Sequence, residues 1–231
     1  MKKVLTVVIA LAIVTPLIFT GCKKGENDPF LSLKSRTARL SNTWKCTEMT
    51  TTNTTTQEYG GSTYTSTSTS TYSGTSLITS TSTSSGGTTT TTGDTTDVYT
   101  LEVTFDKSGT YTQTEFEKNE STGYTYEKTT VTKGIWYWNG KNKDEEIKSK
   151  EMVVMETTEI TETESTTVGG VTTTDTDTDR YTGSSSMVTR AKLDQLSGST
   201  LVYKSEGSYD NVDTDSPYTS STTSTVTFEK Q

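Results

Sequence analysis

The chain has 231 residues, 28% hydrophobic and 22% charged, with 29 acidic against 21 basic side chains and a formal net charge of −8. Such an acidic balance repels phosphate backbones, which excludes nucleic acid as a partner class. No histidine is present, so His-based triads, His-ligated metals and the commonest general base are all ruled out.

Lys2 and Lys3 open the chain, and Val4 to Phe19 is apolar apart from Thr6, Thr15 and the helix-breaking Pro16. A basic start, a short apolar core and small residues at its end make a secretory signal. The run falls short of the ~20 apolar residues that a spanning helix needs. Its end, Thr20-Gly21-Cys22, resembles the lipobox of bacterial lipoproteins, with Phe19 where that family prefers Leu. The resemblance implies a diacylglyceryl group, bearing palmitate-type chains, on the Cys22 thiol, cleavage before Cys22 and an N-terminal lipid anchor in the membrane. Because Lys23 rather than Asp follows the cysteine, it also implies the outer membrane, on its periplasmic face or at the cell surface. Two acyl chains, at ~0.8 kcal/mol per buried methylene, hold a protein to a bilayer far better than one.

The division expected is a signal peptide over 1–21, a tether over 22–29 and one domain over 30–231. With Cys22 acylated, Cys46 has no intramolecular partner, so disulfides do not staple the fold. Cys46 lies two residues from Trp44 on the same strand face, and reads as a buried, inert thiol. Asp28 and Pro29 suit the cap and first turn of a short helix reaching Leu40.

From Thr43 onward the period is two. Tyr99, Leu101, Val103 and Phe105 alternate with Thr100, Glu102 and Thr104 over Val98 to Phe105, the cleanest strand. Asp106-Lys107-Ser108-Gly109 is a turn, and Thr110 to Glu117 returns. A further strand is expected from Thr122 through Val131, then Gly134 to Trp138, and a charged loop to about Lys150. Glu151 to Thr167, the turn Val168-Gly169-Gly170, and Val171 to Thr182 form a long hairpin. Met187 to Leu193, Ser199 to Ser205 and Ser221 to Glu229 close an antiparallel meander. The Thr/Ser tracts also alternate: in Tyr64 to Tyr72 threonines fall on odd positions and serines between, which favours strand over a mucin-like stalk.

Several stretches together resemble the lipocalin-like proteins. Leu40-Ser41-Asn42-Thr43-Trp44 is similar to their first-strand Gly-x-Trp motif, with Asn42 at the glycine position. Leu101 to Tyr111 resembles their central hairpin, and Lys133-Gly134-Ile135-Trp136 the Gly-x-Trp strand after it. Leu193 to Tyr203 and Val226 to Lys230 are similar to their late and closing strands. The resemblance implies an all-β fold, an antiparallel lipocalin-like barrel of roughly eight to ten strands, with long polar hairpins and one short N-terminal helix.

Catalysis finds no foothold. Asp175, Asp177 and Asp179 mimic the start of a calcium loop, but Arg180 and Ser186 stand where an EF-hand needs Gly and Glu. At a spacing of two they line one strand face instead. Glu156, Glu162 and Glu164 are expected on a shared, solvated strand face, with Glu159 nearby. No catalytic residue, metal or cofactor is therefore expected. Trp44, Trp136 and Trp138 are candidates to line a cavity for a small apolar or amphipathic ligand. The alternative function is a structural or adhesive surface protein working through its Thr/Ser hairpins around a merely packed barrel.

Overall fold

The period-two pattern becomes strand almost throughout. The computed structural model describes residue 28 and residues 34–60, 62–85, 88–140, 150–182, 187–211 and 218–231. Cys22, and with it the lipobox and the signal peptide, lies outside the described residues. Among the described residues helix α1 (Arg36–Leu40) precedes twelve strands: β1 (Thr43–Tyr59), β2 (Ser62–Tyr72), β3 (Leu77–Ser85), β4 (Thr88–Thr96), β5 (Val98–Phe105) and β6 (Thr110–Ser121). These are followed by β7 (Tyr124–Trp138), β8 (Met152–Val168), β9 (Val171–Arg180), β10 (Met187–Leu196), β11 (Thr200–Asn211) and β12 (Tyr218–Lys230).

All pairings are antiparallel. β1, β5, β6, β7, β8, β10, β11 and β12 close into an eight-stranded barrel through the β12–β1 pairing. The other four strands extend the ladder as two wings, β2–β3–β4 from β1 and β9 from β8; the lower end of β4 lies beside β6, where Asp97 N–H donates to Asn119 Oδ1 at 3.2 Å and Glu120 N–H to Asp97 Oδ2 at 2.7 Å. We call the end of the barrel nearest α1 its base.

Both wings arise in the same way. β1 and β8 are each 17 residues long and keep one partner along nearly their whole length, β12 over Trp44–Gln57 and β7 over Val153–Val168 respectively. On the other side each changes partner halfway. β1 pairs with β5 over Thr43–Lys45 and with β2 from Met49 to Tyr59. β8 pairs with β10 over Met152–Thr157 and with β9 from Glu159 to Val168. At each fork one extra residue, Thr47 or Thr158, bulges out of the ladder. A bulge bends its strand and increases its twist, which is what parting from a neighbour requires.

The bulges also switch the face on which alternation runs. Trp44 and Cys46 point inward below Thr47, and Met49 and Thr51 occupy the corresponding face above it. On β8 the switch corrects one expectation. Glu156 pairs with the half-exposed Ile135 on the outer face, whereas Glu162 and Glu164 continue the inner face beyond Thr158. The three glutamates do not share a face, because Thr158 adds one residue between them.

The core fills the base. Trp44, Leu40, Leu196, Leu201, Val153, Cys46, Tyr72 and Phe228 are fully buried. Burying each large apolar side chain stabilises the fold by roughly 1.5–3 kcal/mol. β5 alternates buried and half-buried residues as its sequence pattern requires. Gly109, in left-handed backbone at φ 92°, closes the following turn, and the Asp106 carboxylate accepts from Ser108 N–H at 2.7 Å. The strand expected from Thr122 begins instead at Tyr124, because Thr122-Gly123 forms the turn, and it runs unbroken to Trp138.

α1 seals the base. Ser35, not Asp28, caps it, its hydroxyl accepting from Ala38 N–H at 3.1 Å. Asp28 is buried below the helix. Its carboxylate accepts from Leu196 N–H at 2.7 Å and faces Arg36 at 3.4 Å and Arg39 at 3.7 Å. Asn42, at the glycine position of the Gly-x-Trp motif, donates its side-chain amide to Arg39 O at 2.6 Å and so closes the helix end.

Candidate functional site

Four surfaces could carry function: the tryptophan floor, the open inner faces above it, the outer faces of the wings, and a groove in the wall. The floor comes first because the sequence points there. Trp44 is fully buried on β1, and Trp136 and Trp138 share the inner face of β7, where their rings meet edge-on at 5.9 Å. Phe105 packs edge-on against Trp136 at 5.7 Å. Each indole N–H is bound inside the protein: Trp44 to Leu40 O at 2.8 Å, Trp136 to Asp106 O at 2.8 Å, Trp138 to Thr37 Oγ1 at 3.0 Å. The Arg36 guanidinium stands 5.9 Å from the Trp138 ring centre. Burial draws Arg36 below its ordinary value, and Asp28 opposes that shift. The three tryptophans thus lock the turns and helix of the base together.

Above the floor the fork between β1 and β5 is filled by two tyrosines. Tyr72 and Tyr99 meet edge-on at 5.1 Å, both nearly inaccessible. Tyr99 O–H donates to Glu115 Oε1 at 2.7 Å, and burial raises its pKa further than any other cause. Burial likewise pushes the neighbouring Cys46 thiol up to about 12, so the thiolate is suppressed.

Beyond Tyr72 the two inner faces differ in chemistry. On the β12–β1–β2–β3–β4 side, cross-strand rows such as Ser224–Thr51–Ser70–Thr79–Asp94 and Thr222–Asn53–Ser68–Thr81–Thr92 consist almost wholly of small hydroxyl side chains. Neighbours bond across strands, as in Thr51–Ser224 at 2.7 Å and Ser70–Thr79 at 2.9 Å. On the β6–β7–β8–β9 side the rows are acidic: Glu115–Thr130–Glu162–Asp177 and Glu117–Lys128–Glu164–Asp175. Lys128 holds Glu162 at 3.1 Å and Glu164 at 3.3 Å, and burial beside Glu115 raises the Glu117 carboxyl. Glu115 and Glu117 escaped sequence reasoning. Their spacing of two was visible, but only the β6–β7 register brings them beside Glu162 and Glu164.

The outer faces of the wings carry a second set of ladders: Thr52–Thr69, Thr54–Thr67 and Thr56–Thr65 at 3.3–3.4 Å, and Thr161–Thr178 to Thr167–Thr172 at 2.7–3.2 Å. A groove of about 580 Å³ opens where β10 parts from β11, between Arg190 and Lys192 on one lip and Lys204 and Glu206 on the other.

No family model matches the chain, and no curated protein or solved structure matches it either.

Proposed function

We propose that this is a lipid-anchored, lipocalin-like surface protein that acts through its Thr/Ser wings, with the barrel as their rigid mount. The observation that carries the reading is where polar and apolar groups have gone. Large apolar side chains and all three indole N–H groups are spent on sealing the base, while the outer faces of both wings and the inner face of the β2–β3–β4 wing present ordered hydroxyls. Ligand cavities are lined mainly by apolar and aromatic groups. Here those groups fill the floor. A small apolar ligand held against Trp44, Trp136 and Trp138 has correspondingly less support. Acylation at Cys22 and residence at the outer membrane enter the proposal from the lipobox resemblance.

The test is cell attachment. Replacing residues 80–93 by a two-residue turn, which the existing Thr79–Asp94 pair can close, removes most of β3 and β4 and spares Tyr72; cells carrying this variant should lose adhesion to surfaces or to one another while the β-sheet circular dichroism persists. Unchanged adhesion, together with tryptophan quenching by fatty acids on the intact protein, would establish the ligand reading instead. Cys22→Ser should abolish acylation and release the protein from the detergent phase.

A further inference from the structure

Among the described residues β4 and β9 each keep one side of the ladder unpaired along their whole length, although the lower end of β4 lies beside β6. An edge strand leaves alternate backbone N–H and C=O groups facing outward, where another strand can pair with them. β9 guards this edge. Thr176 N–H and Thr178 N–H are taken by the side chains of the preceding residues, Asp175 Oδ1 at 3.0 Å and Asp177 Oδ1 at 2.8 Å. A carboxylate that satisfies its neighbour's outward amide blocks a ladder from extending there. β4 carries this device once, at its lower end, where Asp94 Oδ1 accepts from Thr95 N–H at 2.9 Å. The alternate residues of the same outward set, Thr89, Thr91 and Gly93, carry none, and the segment from Thr88 to Gly93 is uncharged.

We propose that the open edge of β4 is a pairing site for β4 of a second copy of this chain, antiparallel about a two-fold axis at Thr91. This register sets Thr91 opposite its counterpart and Thr89 opposite Gly93, each pair exchanging two backbone bonds, for about six in all. Side chains on the inner face then meet as Thr90 with Thr92, the hydroxyl-on-hydroxyl contact that β4 already makes with Thr83 and Thr81 of β3. Asp94 falls opposite Thr88, so no like charges face one another. Self-pairing of β9 would instead bring Asp175, Asp177 and Asp179 together. Charge therefore selects β4 over β9 as the self-complementary edge. Because each copy carries a net charge of −8, association is favoured by added salt.

The inference rests on the reading of the wings as contact surfaces, yet the two fail separately: purified protein can stay single while cells still adhere. Sedimentation of the purified full chain across concentration should show the mass doubling, more readily at high salt. Thr91→Pro deletes an outward N–H without touching the β3 ladder, and should hold the mass at one protomer with an unchanged thermal midpoint. Thr174→Pro, at an outward position of β9, should leave the dimer intact. Independently of those folds, Thr91→Cys should give an interchain disulfide on mild oxidation, whereas Thr89→Cys should not. A single-protomer mass at every concentration would overturn the proposal. So would a dimer that survives Thr91→Pro, or equal cross-linking at 89 and 91.

Discussion

Tyr111 lies against Gly134, the one residue of β7 without a side chain: a Cβ there would stand 2.7 Å from Tyr111 Cε1 and overlap the Glu156 carbonyl oxygen. The bulge at Thr158 brings β8 down onto this spot. Tyr111 O–H in turn bonds Thr157 Oγ1 at 2.9 Å in the interior, so ring, glycine and bulge form one joint beneath the β9 wing.

Gly134→Ala should therefore destabilise the fold by about 1–3 kcal/mol, since neither a backbone carbonyl nor a packed ring can yield cheaply. Tyr111→Phe should cost about 1 kcal/mol through the lost buried bond. Chemical denaturation of the two variants and the wild type gives both numbers. A Gly134→Ala protein as stable as the wild type would show that β8 does not press on β7 there.

Asp28→Ala should be more damaging. It leaves the Arg36 and Arg39 guanidinium groups buried without their counter-charge, and removing one partner of such a cluster costs about 3–5 kcal/mol. The expected readout is a large drop in thermal midpoint. Replacing Asp28, Arg36 and Arg39 together by apolar residues should recover much of the loss.

Cys46 should resist alkylation in the folded protein at pH 8 and react once unfolded, because its thiol is buried and held up to about 12. Its folded value lies above the unfolded one, so the unfolded state loses its proton first as pH rises. Stability should then fall from about pH 8.5 upward, by at most ~1.4 kcal/mol per pH unit from this group, until pH reaches the folded value. Comparing Cys46→Ala with the wild type across that range isolates the contribution from those of Tyr99 and Tyr203, both also raised by burial. An alkaline slope identical in the two proteins would rule it out.

Amide exchange should be ordered in space. β5 and the base of β7 are backed by the apolar cluster, whereas beyond the core β3, β4 and β9 pair mainly through exposed hydroxyl and charged side chains. Cross-strand pairs of this kind contribute about 0.2–1 kcal/mol each. Wing amides should exchange through local opening well before those of the base. Equal protection in both would mean that the wings unfold only with the barrel.

Much of this was legible in the sequence, for a physical reason. β5 announces itself because Tyr99, Leu101, Val103 and Phe105 are apolar on every second residue, and Cys46 is buried on the face of Trp44, as its spacing of two predicted. Thr47 and Thr158 were not legible as bulges. Thr158 follows Thr157 in a polar run, where an added residue leaves no break in an apolar pattern, and so the opposite facing of Glu156 and Glu162 was hidden; at Thr47 the one mark is the three-residue step from Cys46 to Met49. Nor does any local signal say that Trp138 N–H reaches Thr37 or that Tyr72 meets Tyr99. Those contacts join residues distant along the chain and follow only from barrel closure.

The forks have a consequence for how such a protein can vary. Above Thr47 and Thr158, β2, β3, β4 and β9 pair only with the strands that precede or follow them in the chain. Adding one Thr-x dipeptide to each arm of a wing hairpin keeps alternation in phase and lengthens the wing by roughly 7 Å per step. Nothing below the bulges has to move. Reach is thereby separated from foldability: the wings can be drawn out or cut back in increments of four residues, and a repetitive Thr/Ser stretch of gene is well placed to supply such increments.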